Sequence, residues 1–268
     1  MSEILIYTSW LYTKVYQNDY FFFDLWSLVH CWNGFVLLVI LKSAKVRNPL
    51  NILLILLLLY EVVEILIPYF ALGIFKPETF KDQFTDIIIG MMGGGIGLTI
   101  LSYTSMSKPR HVNTLKIFII FLASITYAFL WVGFYGYSYN IGFFNSIGIN
   151  WYAWIMWTSG TFLTIYLFTH LKIKIFLLRF SITWVSYLAA LLMFEALGYH
   201  FFSLHESSNP GSLPLIFELI HGSPVLHFMY IFSPFFSVTL FLGLNYMIFK
   251  ALKFTRESSP TSGILTYN

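Results

Sequence analysis

Long apolar runs broken by short polar punctuation make up most of the chain. A helix that crosses a bilayer needs about 20 consecutive, predominantly apolar residues. Seven stretches meet that length, roughly 20–41, 49–73, 83–106, 113–137, 150–170, 175–200 and 224–249. Pro49 and Pro224 suit the first turn of a helix, where the backbone N–H has no intrahelical partner to lose. Pro68 predicts a kink near the end of the second stretch. The segment SYNIGFFNSIGI at 138–149 reads as a loop or re-entrant turn, and 201–223 forms the longest connection. The pattern predicts an all-α, polytopic membrane helix bundle, a single membrane domain over residues 1–268 with about seven transmembrane helices.

Composition sharpens this reading. Charged residues are only 10% of the chain and hydrophobic ones 58%, against roughly 25% charged in a soluble domain. No basic stripe interleaved with aromatics is present, so nucleic acid is not an expected partner and membrane lipid is. Lys14 is the first basic residue, so no basic n-region of a cleaved signal peptide is expected. The single cysteine, Cys31, cannot form an internal disulfide. The 18 Tyr, 8 Trp and 29 Phe residues are expected to form interface belts and helix packing.

Charge then assigns sides. Lys42, Lys45 and Arg47 follow the first stretch; Lys108, Arg110 and Lys116 follow the third; Lys172, Lys174 and Arg179 lie between the fifth and sixth; Lys250, Lys253 and Arg256 follow the last. With seven spans these four groups, 12 of the 15 basic residues, share one side. The positive-inside rule makes that side cytoplasmic, with the N-terminus outside and the C-terminus in the cytoplasm. All the acids except Glu257 then fall in the external half, together with His30, His200, His205, His221 and His227. Acids contribute little to topology, so this skew calls for another cause.

One cause is a shared polar site. In the first stretch Asp24, Ser27, His30, Cys31 and Gly34 fall on one helical face. In the second, Glu61 and Glu64 are three residues apart and share a face. In the third, Asp82, Asp86, Gly90, Gly93 and Gly97 form one stripe, and the glycines permit a close helix approach. Carboxylates facing lipid are costly, at least about 2.5–3.5 kcal/mol each, so these face the protein interior or water. Asp24, His30, Glu61, Glu64, Asp82 and Asp86 are therefore the candidate catalytic residues, able to meet in one cavity open to the outside. So many acids in one place must share protons, meet a cation or pair with bases. Glu195 ends the sixth stretch, and His200, Glu218, His221 and His227 follow it as candidate metal ligands, because histidine with carboxylate suits zinc, iron or manganese. A divalent metal is thus the cofactor to look for, although no named metal signature is present.

At these residues the chain resembles the VanZ-like group of bacterial membrane proteins. The shared pattern is Asp24 with His30 and Gly34, then Glu61 and Glu64, then Asp82-Gln83 and Asp86 running into Gly90 and Gly93-Gly94, over about residues 20–105. The resemblance implies a three-helix unit at 20–106 followed by four further helices at 113–249. It also implies an integral envelope protein of the bacterial cytoplasmic (inner) membrane, of a kind tied to resistance against cell-wall-directed glycopeptides. The expected function is a resistance factor or hydrolase whose outward-facing acid/His cavity acts on a lipid-linked or amphiphilic substrate. The alternatives are a proton- or cation-coupled transporter and a non-enzymatic subunit that docks an envelope partner. A retinal protein is excluded, because the last stretch carries no mid-helix lysine and Lys250 lies at its end.

Overall fold

A computed structural model describes residues 9–64, 66, 79–106, 112–146, 148–198, 202, 205–206 and 224–257. Eight α-helices occur among these residues: α1 Leu25–Ser43, α2 Pro49–Glu64, α3 Phe80–Met106, α4 Val112–Tyr135, α5 Trp151–His170, α6 Phe176–Ala196, α7 Pro224–Ile231 and α8 Ser233–Glu257. Five segments are long and apolar enough to cross a bilayer: Leu25–Ser43, Phe80–Tyr103, Asn113–Tyr135, Phe176–Ala196 and Ser233–Lys253. Large apolar side chains on their outer faces, including Met92, Ile96, Leu177, Val185 and Met193, are exposed, as lipid contact requires and water would penalise. The protein is an all-α membrane helix bundle.

The chain divides into two compact units. The first holds residues 1–113 and 245–268. Among its described residues a 3-10 turn at Ser9–Tyr12 precedes an antiparallel hairpin of β1 (Lys14–Gln17) and β2 (Phe22–Asp24), in register Lys14↔Asp24 and Gln17↔Phe22. The Asn18 side-chain oxygen closes the hairpin by accepting the N–H groups of Tyr20 (2.8 Å) and Phe21 (2.7 Å), a local bond that favours a turn over a helix. The sequence pattern starts the first helix near residue 20, but the structure starts it at Leu25. Asp24 is its N-cap and forms a capping box with Ser27, whose N–H donates to Asp24 Oδ1 at 3.0 Å. Asp24→Ala is expected to lower stability by about 1 kcal/mol, whereas Asp24→Asn keeps a capping oxygen and most of that stability. Thermal melts of the two purified variants check this, and equal melting would remove the capping role.

Small residues let α1 and α3 lie against each other. A Cβ on Gly34 would sit 1.8 Å from the Gly90 carbonyl oxygen, and one on Gly93 would sit 1.9 Å from the Cys31 carbonyl oxygen. Beside this contact, Leu38 of α1 and Leu53 and Leu57 of α2 form a buried apolar core. Leu53 and Leu57 fill the space over Gly94 and Gly90. The predicted stripe is the buried one: Asp82, Asp86, Gly90, Gly93 and Gly97 are all inside.

The second unit holds residues 114–244. Asn150 caps α5, its side-chain oxygen accepting the Ala153 N–H at 2.9 Å. A short antiparallel pair joins β3 (Ser138–Tyr139) to β4 (His205–Glu206). The sequence pattern runs one helix through 224–249, but the structure interrupts it at Phe232, between α7 and α8. Pro234 is the reason: it has no N–H to give to the Tyr230 carbonyl four residues back, and its ring crowds that carbonyl. Side chains of α6 take up the released acceptors. Tyr187 donates its hydroxyl to the Tyr230 carbonyl and Trp184 its indole N–H to the Ile231 carbonyl, each at 2.8 Å. Bare carbonyls at this depth would be costly, so the break and its two donors form one device.

Candidate functional site

The N-terminal end of α1, the C-terminal end of α2 and the N-terminal end of α3 lie at the same end of the first unit. Each carries acids there, so alternating helix direction alone gathers residues that are 62 positions apart in the chain. Asp24, Ser27, His30, Glu61, Glu64, Asp82 and Asp86 are all buried, with His30 and Asp86 each only 1% exposed. The six candidate catalytic residues of the sequence are therefore grouped within the first unit.

His30 is the centre of the group. Its Nδ1 lies 3.8 Å from Glu61 Oε1 and its Nε2 3.6 Å from Asp86 Oδ2. Both distances exceed a hydrogen bond. One ligand atom from each of His30, Glu61 and Glu64 can be chosen so that all three lie within 4.8 Å of one another. Two aromatic rings hold the imidazole edge-on: Trp26 at 5.8 Å and Tyr60 at 5.6 Å between centroids. Trp26 is four residues before His30 on the same face, and Tyr60 directly precedes Glu61.

Ser27 links the carboxylates of two elements. Its hydroxyl is 3.0 Å from Asp86 Oδ1 and 3.4 Å from Asp24 Oδ1. Thr85, fully buried beside Asp86, accepts the Phe22 N–H at 3.1 Å and so ties the hairpin to α3. Lys81 reaches the other way, donating its ammonium to the Asn18 carbonyl. Among the described residues His30 is the one basic side chain within 4.0 Å of a carboxylate in this group.

Several oxygens here are buried with no hydrogen-bond partner among the described residues: both of Glu61, both of Glu64, Asp82 Oδ1 and Asp86 Oδ2, along with His30 Nε2. Trp26 and Tyr60 flank Glu64 as polar neighbours. Buried polar atoms are normally satisfied, and each exception needs a reason. Five buried carboxyl groups at one end of the unit, three of them near His30, can hold a divalent cation or share protons; ionising all of them without either would be costly.

His200, Glu218 and His221 lie outside the described residues, and His227 belongs to α7 with its side chain outside them. Pro68 also lies outside. Trp26, Tyr60 and Thr85 carry no acid or imidazole, so a pattern of ionisable groups does not mark them; the helical spacing of Trp26 to His30 is the signal the sequence offers. Comparison with protein-family models, with curated proteins and with solved structures gives no match.

Proposed function

We propose that the chain is a VanZ-like envelope protein of the bacterial cytoplasmic membrane that uses a divalent cation to hydrolyse a lipid-linked or amphiphilic substrate. It spans the bilayer seven times with its N-terminus outside, so the acid/His site faces outward. The observation that carries this reading is the convergence of His30, Glu61 and Glu64 donor atoms, with unsatisfied oxygens, at one buried point.

His30, Glu61 and Glu64 would hold the cation. One nitrogen and two carboxylates make a ligand set that suits zinc, iron or manganese. Such a cation acidifies bound water at neutral pH. Asp86 faces the Nε2 side of His30 at 3.6 Å and would orient its ring on closing to bonding distance, the usual role of a carboxylate behind a ligating histidine. Ser27 holds Asp86 in place, and Asp24 holds Ser27. Asp82, at 9% the most exposed of the acids, receives and returns the proton at the edge of the site. The surplus of acids favours one second reading, a proton- or cation-coupled carrier.

Metal content separates the two. Mass spectrometry on the purified, detergent-solubilised protein should find close to one transition-metal ion per chain. A Glu61→Gln/Asp86→Asn variant should lose it. A metal-free protein that is well folded and stays so in the double variant would sink the hydrolase reading and leave the carrier.

A further inference from the structure

The second unit contains a feature that the acid/His site does not use. Between α5 and α6 lies a cavity of about 520 Å³, within the roughly 300–1,000 Å³ of small-molecule sites. Its polar end is walled by Tyr137, Tyr139, Tyr152, Trp157 and Tyr230, with Glu195 beside them. These rings meet as corners: Tyr139 and Tyr152 at 5.2 Å and 88°, and Trp157 and Tyr230 at 5.2 Å and 72°. Hydrogen bonds hold the walls. The Tyr137 hydroxyl accepts the indole N–H of Trp157 at 2.6 Å and of Trp131 at 3.1 Å. The Tyr230 hydroxyl donates to the Glu195 carboxylate. One to two helical turns further along α5 and α6 the cavity is lined by the aliphatic Leu163, Leu167 and Leu191, and Leu163 is 64% exposed.

We propose that this cavity binds an amphiphile whose head is an alkylated ammonium group, lodged among the aromatic rings and Glu195, with its apolar tail leaving between α5 and α6. Ring faces attract a cation through their quadrupole, and aromatic cages are the usual receptors for quaternary ammonium. The Glu195 carboxylate adds attraction for a cation and repels an anionic head. Burial holds the Tyr139 hydroxyl above the ordinary phenol range, so this wall stays neutral and adds no competing charge. The exposed aliphatic mouth fits a tail that remains in the hydrocarbon of the bilayer.

The test uses hexyltrimethylammonium, with hexyl sulfate and hexanol as the same tail on anionic and neutral heads. Binding to the full chain in an uncharged maltoside detergent is followed by quenching of tryptophan fluorescence. Saturable quenching is expected for the cation, with the other two heads weaker by about tenfold or more. Glu195→Gln should weaken the cation to a similar degree and leave hexanol unchanged. Equal binding of hexanol and the cation, or no saturable binding, would overturn the proposal. If Glu195→Gln does not fold, the comparison of heads on the unaltered protein decides alone. Repeating the titration in bilayers with and without phosphatidylcholine identifies the source: competition by that lipid means a lipid headgroup, and no competition means a free organic cation.

Discussion

Gly34→Ala should fail to fold normally, while Gly95→Ala in the same membrane unit should fold at least as well as the unaltered protein. Both changes add one methyl group to a helix, and both gain roughly 1 kcal/mol of helix propensity. Their surroundings differ. At Gly34 the new carbon would lie 1.8 Å from the Gly90 oxygen, 2.6 Å from its carbonyl carbon and 2.9 Å from its Cα, whereas at Gly95 nothing lies within 4 Å. Backbone cannot rotate aside as a side chain can, so α1 and α3 would have to separate. Overpacking of this kind costs about 3 kcal/mol or more where nothing can yield. Separation would also pull Ser27 and His30 away from Asp86, so the site should fail with the fold. Gly93→Ala, 1.9 Å from the Cys31 oxygen, should behave like Gly34→Ala. Thermal melts and size-exclusion profiles of the three purified variants check the order. Similar melting of Gly34→Ala and Gly95→Ala would mean that α1 and α3 do not touch in this way.

This contact also shows what could be read from the sequence. The glycines of α3 and the acids that precede them share one stripe because both obey the helical repeat, and the repeat is visible without coordinates. The grouping of Asp24, His30, Glu61, Glu64, Asp82 and Asp86 was legible for the same reason, since three helices of alternating direction bring the N-terminal ends of α1 and α3 to the C-terminal end of α2. Three things were not legible. The aromatic run before Asp24 is as apolar as a helix, and only the Asn18 turn bonds reveal it as a strand. The interruption at Phe232 was signalled by Pro234, but hydropathy averages over one proline in an apolar run. The aromatic cavity of the second unit was hidden by its composition, because Tyr and Trp residues that build a cage count the same as those that form an interface belt.

Chelation should destabilise the unaltered protein and leave the Glu61→Gln/Asp86→Asn variant unaffected. In chelator, the variant should melt above the unaltered protein. The sign follows from the charge around His30. Five buried carboxyl groups share this end of the unit with one imidazole, and several of their oxygens have no hydrogen-bond partner among the described residues. A bound divalent cation offsets that repulsion, so its removal exposes the repulsion in full. Converting Glu61 and Asp86 to amides removes one of the three proposed ligands, the carboxylate behind His30 and part of the charge that needs the cation. Mass action sets the size: a ligand at 100 times its dissociation constant stabilises the folded state by about 2.7 kcal/mol. For a chain of this length each kcal/mol moves the melting temperature by about 2–4 °C, so manganese or zinc should raise it by roughly 5–10 °C in the unaltered protein alone. A protein-wide salt effect would raise both variants together, which is why the pair is needed. If neither metal nor chelator moves the unaltered protein, while the double variant still melts higher, the acids repel one another without a cation and hold shared protons. The group around His30 would then be a proton site, and the carrier reading would replace the hydrolase.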